Sequence, residues 1–185
     1  SYLLLPLTFP IIINNFYLKF NIITPNQKIK TICIGNIYIG GTAKTPLTIK
    51  IYDILKTLNS NAATIKKFYI DQIDEQRILD SRTKLYCSKN RIQALNQAIK
   101  NNVDIAIFDD GLQDGSISYN LRFVCFNNVK WIGNGFLIPA GPLREKITSI
   151  SKYDAIFLNG NARDNSNIKS LINEYNKDIP VFEST

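Results

Sequence analysis

Thr31-Ile32-Cys33-Ile34-Gly35 is an apolar, β-branched run that halts at a glycine, and Gly40-Gly41-Thr42-Ala43 then leads into Lys44-Thr45-Pro46. Few orders of residues restrict a fold so strongly. A strand, a glycine-bearing loop and a helix opening on Lys-Thr form the recipe for holding phosphates. Loop amides turn inward, the helix N-terminus adds partial positive charge, the lysine reaches the outer phosphates and a hydroxyl ligates Mg²⁺. The standard GxxxxGK[ST] spacing wants glycine at 38 and 43, where this chain has Tyr38 and Ala43. What remains is nearer the GGxGK[ST] variant. Alone, the stretch reads either as a phosphate cradle or as an ordinary strand-to-helix turn. The candidate nucleotide-binding residues are Gly40, Gly41, Thr42, Ala43, Lys44 and Thr45.

Two later stretches bear on that choice. Val103-Asp104-Ile105-Ala106-Ile107-Phe108-Asp109-Asp110-Gly111 is a short apolar strand ending in carboxylates. P-loop proteins present an aspartate beside the phosphates in this way, whereas the plain alternative is a strand followed by an Asp-Gly turn. Beside a Gly-Gly-Thr-Ala-Lys-Thr loop, the functional reading is preferred. The second stretch, Gly133-Asn134-Gly135 through Pro139-Ala140-Gly141-Pro142-Leu143-Arg144-Glu145, is shaped by glycine and proline and delivers Arg144.

Around these stretches, residues 28–35 read as a strand. Thr45–Leu58 reads as a helix with Thr45 as N-cap and an apolar stripe of Leu47, Ile51, Ile54, Leu55 and Leu58. Asn59–Asn61 ends it. Ala62–Tyr69 is strand-like. Gln72–Leu79 is a short helix, with Ile73, Ile78 and Leu79 inward and Asp74 and Glu75 outward. Arg91–Lys100 is helical, Leu121–Phe126 and Ala155–Leu158 are strands, and Ile168–Tyr175 is a further helix. Alternating strands and helices predict an α/β chain, a P-loop NTPase-like three-layer sandwich with a mostly parallel sheet and ligands at the strand C-termini.

Composition narrows the chemistry further. A net charge of +7 in 185 residues points to an anionic partner, or to a lysine-rich composition with no particular target. With no histidine, proton transfer falls to Asp, Glu, Lys, Tyr or Cys. Cys33, Cys87 and Cys125 lack metal-ligand spacing and read as reduced thiols. Basic residues are not clustered with aromatics as a nucleic-acid module requires, so no nucleic-acid partner is expected. Residues 1–27 open on the uncharged run Tyr2–Ile13, which is proline-broken and too short for a membrane span of about 20 apolar residues. They suit an interfacial anchor on a membrane surface, with Phe16, Tyr17 and Phe20 near Lys19, or equally a helix packed on the body. The expected division is 1–27 as that segment, 28–160 as the P-loop core and 161–185 as the start of a truncated C-terminal domain.

The loop, the Asp109-Asp110-Gly111-Leu112-Gln113 string and the Pro-Ala-Gly-Pro-Leu-Arg-Glu segment together resemble the bacterial tetraacyldisaccharide 4'-kinase family. The resemblance runs from about the first apolar segment to Asn159. It implies a peripheral enzyme at the cytoplasmic face of the inner membrane, using ATP and Mg²⁺ to phosphorylate the 4'-hydroxyl of an acylated disaccharide lipid. By position it assigns Lys44 to the β/γ phosphates, Thr45 and Asp109 to Mg²⁺, and Asp110 to the metal and γ-phosphate. It assigns Arg144 with Glu145 to charge on the transferring group. Asp74, in the place of the family's Gly-Asp-Glu aspartate, would be the base that deprotonates the sugar hydroxyl; its plain alternative is an exposed helix carboxylate.

Departures from the family pattern temper the expected activity. Ala43 replaces a loop glycine, and Asp114 stands where the family has histidine. The Ser-Arg-Gly-Tyr-Gly segment is missing between the first helix and Asp74-Glu75. The family pattern also continues beyond residue 185, with a histidine that supports the base. The expectation is therefore a degenerate or truncated member of weak or absent activity. The rival expectations are a non-catalytic remnant and a membrane-attached P-loop ATPase, which hydrolyses ATP without a sugar acceptor.

Overall fold

The computed structural model describes Thr8, Pro10, residues 29–161 and residues 164–184. The expected N-terminal anchor, those two positions apart, lies outside the described residues. The described residues fall into two compact units, one holding 29–34 and 44–121, the other Thr8, Pro10, 35–43 and the positions from 122 onward.

In the first unit the order is β1 (Lys30–Gly35), α1 (Lys44–Thr57), β2 (Ala62–Lys67), a 3-10 turn (Ile70–Gln72), α2 (Ile73–Arg82), β3 (Leu85–Ser88), α3 (Arg91–Lys100) and β4 (Ile105–Asp109). Its strands lie in the order β3-β2-β4-β1, each pair parallel. Strands β1 and β4 end level, with Ile34 opposite Asp109. The Asp110 amide donates to the Ile34 carbonyl at 2.8 Å, which carries the ladder one residue further. The core joins Cys33, Ile65, Phe108, Ala94, Leu95 and Ala98; burying each large side chain contributes roughly 1.5–3 kcal/mol. Helix α3 lies over the residues foreseen. Its Asn90 side chain caps the Gln93 amide at 2.9 Å.

Two expectations about helix faces need correction. In α1, Ile54 and Leu58 are 47% and 67% exposed, and the fully buried residue is Thr48. Leu47, Ile51 and Leu55 are half-buried, and the Thr48 hydroxyl adds a contact to the Asp109 carboxylate. In α2, Leu79 is buried as expected, but Ile73 and Ile78 face solvent, and Glu75 reaches back to a strand instead of pointing away.

The second unit carries β5 (Leu121–Asn127), a 3-10 turn (Ile147–Lys152), β6 (Ala155–Asn159), α4 (Ser166–Tyr175) and β7 (Val181–Ser184). The order is β5-β6-β7, again parallel, with Phe123 opposite Ala155 and Asn127 opposite Asn159. Phe123, Phe157 and Phe182 form a cross-strand aromatic row, with ring centroids 5.6 and 5.1 Å apart. Parallel strands with helices between them make the chain α/β, as the alternation of patterns predicted. Among the described residues no helix is long and apolar enough to cross a membrane.

Candidate active site

Strand β4 ends at Asp109, which is wholly buried. A carboxylate taken out of water must be compensated, and here three side chains do so. Thr45 Oγ1 donates to its Oδ2 at 3.3 Å and Thr48 Oγ1 to its Oδ1 at 3.4 Å. Lys66 Nζ lies 2.6 Å from Oδ2 and 2.8 Å from Glu75 Oε2. Lys66 is itself only 1% exposed. Burial alone would pull its pKa down, but Asp109 and Glu75 outweigh burial and hold it above the ordinary lysine value.

The next residue, Asp110, adopts a left-handed backbone (φ 59°). Its carboxylate lies 3.4 Å from Lys44 Nζ. Its carbonyl accepts from the buried Arg91 guanidinium, which also meets Asp114 at 3.0 Å. Burial pushes the Asp114 carboxyl up, but the Ser116 hydroxyl and amide together with Arg91 bring it below the usual carboxylate range. The negative charge in place of the family's histidine is thus held by an internal partner. Space at Gly111 is tight: a Cβ there would meet Tyr119 Oη at 2.8 Å and Cys33 Sγ at 3.0 Å, so one of these buried side chains would have to shift.

The loop of residues 36–43 belongs to the other unit. Asn36 is buried and its Nδ2 donates to the Gly40 carbonyl at 3.1 Å, closing the turn. Tyr38, where the standard motif has glycine, buries its ring over Phe126, and its Oη accepts the Asn127 amide at 2.8 Å. Ala43 sits at φ 56°, the left-handed region that costs a residue with a Cβ roughly 1–2 kcal/mol. Thr42 is 3% exposed, and its Oγ1 has no partner among the described residues.

Three backbone bonds join this loop to the Pro-Ala-Gly-Pro-Leu-Arg-Glu segment. Ile39 N donates to the Pro142 carbonyl at 2.8 Å, Arg144 N to the Ile37 carbonyl at 2.7 Å, and Glu145 N to the same carbonyl at 3.4 Å. Gly141 permits the turn, since a Cβ there would come within 2.5 Å of the Phe136 carbonyl. Arg144 is therefore positioned by the loop's own backbone. Glu145 faces Tyr153 Oη at 3.4 Å and Lys152 Nζ at 3.7 Å.

Asp74 stands apart from these groups. Its side chain is 96% exposed, and its nearest cation is Arg77 at 4.0 Å on the same helix. Lys66 is the site residue that the sequence did not disclose. The available signal was the Lys66-Lys67 pair closing a strand shortly before Asp74-Glu75.

The residues present suit a magnesium nucleotide. Mg²⁺ is held by one or two carboxylates and completed by waters and substrate phosphates, and the Thr45 hydroxyl adjoins the Asp109 carboxylate. The unpartnered, buried Thr42 hydroxyl lies inside the loop that would cradle phosphates.

A parallel α/β arrangement in which β1 runs into a glycine loop and a Lys-Thr helix, with an aspartate pair ending the adjacent strand, defines a P-loop NTPase-like protein. The crystal structure of the "apo" form of LpxK from Aquifex aeolicus in complex with ATP is similar at a TM-score of 0.74 and 20% identity, over 97% of this chain and 63% of that one. The hydrogenase maturation factor HypB from Archaeoglobus fulgidus shares the fold at a TM-score of 0.52 and 13% identity, over 92% and 85% of the two chains. The chain belongs to the tetraacyldisaccharide 4'-kinase family, whose model, described as tetraacyldisaccharide-1-P 4'-kinase, matches residues 8–83 and 71–185. The tetraacyldisaccharide 4'-kinase of Pelagibacter ubique (strain HTCC1062) is 51% identical over 182 residues, 98% of this chain and 57% of that protein. That of Blochmanniella floridana is 32% identical over 156 residues, 72% and 46% respectively. The chain thus spans about half the length of the curated relatives it matches.

Proposed function

We propose that this chain transfers the γ-phosphate of ATP to the 4'-hydroxyl of an acylated disaccharide lipid, as a peripheral protein at the cytoplasmic face of the inner membrane. The observation that carries the reading is the pairing of Lys44 with Asp110 and of Thr45 with Asp109 at the start of α1, in a chain whose family is established. Phosphoryl transfer asks a protein mainly to position and neutralise. Lys44 and the loop amides of Gly40–Ala43 hold the phosphates, and Thr42 adds its hydroxyl. Thr45 and Asp109 would hold Mg²⁺, which would supply positive charge against the phosphates. Asp110 keeps Lys44 aimed, and Arg144 stabilises charge on the transferring group, with Glu145 fixing its segment through Lys152 and Tyr153. Asp74 accepts the proton from the sugar hydroxyl as that oxygen bonds to phosphorus and the bond to ADP breaks.

A second reading has an observation of its own. Asp74 is almost fully exposed and, among the described residues, pairs with Arg77 at 4.0 Å, which suits a chain that binds nucleotide without transferring phosphate. Transfer of labelled γ-phosphate to the acylated disaccharide separates the two. Wild type should label the acceptor, while Lys44→Ala and Asp74→Asn should not. Equal signal from all three overturns both residue roles. Hydrolysis indifferent to the acceptor points to an ATPase, and tight Mg-ATP binding without transfer selects the second reading.

A further inference from the structure

The least expected feature of the molecule is a lysine ammonium buried against the carboxylate proposed to hold the metal. Strands β2 and β4 are in register at Ile65 and Phe108, so one step further brings Lys66 level with Asp109. Asp109 Oδ2 has two lone pairs, and both are engaged, by Lys66 Nζ at 2.6 Å and Thr45 Oγ1 at 3.3 Å. A divalent cation seated between Thr45 and Asp109 takes one of those positions. The threonine can rotate its hydrogen away and offer a lone pair to the metal. The ammonium has only hydrogens to offer and repels the incoming charge. Its alternative is already in place: Glu75 Oε2, 2.8 Å from the same nitrogen, on a side chain 49% exposed at the first turn of α2.

We propose that Lys66 is a positioning residue that serves as the resident counter-ion of Asp109 when no divalent cation is bound, and that Glu75 receives its ammonium when one arrives. Metal entry and the Lys66–Asp109 bond are then competing events, and Glu75 sets the balance between them. This rests on the reading of Thr45 and Asp109 as the Mg²⁺ ligands. It adds a residue that holds Asp109 in shape beforehand, so that a buried carboxylate need not wait for its metal in order to fold.

The test is a Mg²⁺ titration of binding of a fluorescent N-methylanthraniloyl ATP analogue to wild type, Lys66→Met, Glu75→Gln and the double variant. Thermal unfolding is measured alongside, with and without Mg²⁺. Lys66→Met should lower the Mg²⁺ midpoint roughly threefold or more, and Glu75→Gln should raise it by a similar factor, the scale of coupling between groups in contact. In the Lys66→Met background the Glu75→Gln effect should vanish. Added Mg²⁺ should also raise the melting temperature of Lys66→Met more than that of wild type.

A lysine that is only a structural tie would lower the melting temperature and leave the midpoint where it was, which overturns the proposal. Should Lys66→Met fail to fold, Glu75→Gln decides alone, because it alters a half-exposed side chain; an unchanged or lower midpoint then refutes competition. Wild type that binds no nucleotide at any Mg²⁺ concentration is a separate result. It removes the kinase reading and the Lys66 proposal with it.

Discussion

Asp109 and Asp74 are both assigned to phosphoryl transfer, yet their surroundings are opposite. Asp109 ends a central strand, is fully buried, and has its two oxygens divided among Thr45, Thr48 and Lys66. Asp74 begins a helix, lies almost entirely in solvent, and has an arginine 4.0 Å away. The contrast follows from the cost of burial. A charge inside the protein is tolerated only with its partners fixed in advance, so the proposed phosphate and metal end is organised by folding itself. An exposed carboxylate carries no such requirement, and its geometry is left to the acceptor. Nucleotide binding should therefore be tied to stability here, and base catalysis should not.

The sharpest attack on this contrast is Asp109→Ala. Removing one member of a buried ion pair leaves Lys66 with Glu75 alone and should cost about 3–5 kcal/mol, a large share of a domain's total stability, read by urea unfolding. Asp114→Asn comes next, at about 1.5–3 kcal/mol, because it weakens a hydrogen bond to the buried Arg91 guanidinium. Its pH dependence has a definite sign. The folded pKa of Asp114 lies below the ordinary 3.8, so the stabilisation is present above that value and lost as the pH falls through the lowered one. The gap between wild type and Asp114→Asn should close on acidification below about pH 4, as unfolding curves at several pH values will show.

A smaller effect of opposite direction is expected at the loop. Ala43→Gly relieves a left-handed alanine at φ 56° and should stabilise by about 1 kcal/mol, seen as a raised melting temperature. Smallest is Asp74→Asn, which should change stability by less than about 0.5 kcal/mol while abolishing labelled transfer. A loss of stability at Asp74 comparable with that at Asp109 would erase the distinction between the two carboxylates.

Much of the fold was legible because local signals agreed. The helical period of Arg91–Lys100 and the apolar run into Asp109 each pointed to a single kind of element. The site was partly legible for the same reason, since a Lys-Thr helix start and an Asp-Asp strand end are short-range patterns. Lys66 was hidden because its role is long-range. In sequence it is one of two lysines closing a strand, and only the register of β2 against β4 shows which of them is buried. Helix α1 misled for the complementary reason. Its leucines and isoleucines form a helical stripe, but Ile54 and Leu58 are exposed while the one fully buried side chain is Thr48, a residue that hydrophobic periodicity does not count. Arg91 was likewise read only as the first residue of a helix, while its guanidinium holds Asp114 and the Asp110 carbonyl.

Tyr38 also changes how the phosphate loop can fail. A loop built on glycine can loosen by itself, but here its midpoint is bolted through an aromatic ring and a hydroxyl to Phe126 and Asn127 at the end of β5. Fraying of the loop and fraying of that strand end become one cooperative event. Deuterium should accordingly enter the Ile39 amide, bonded to the Pro142 carbonyl, at a pace set by strand β5, and shaving the ring at 38 should let the two clocks run separately.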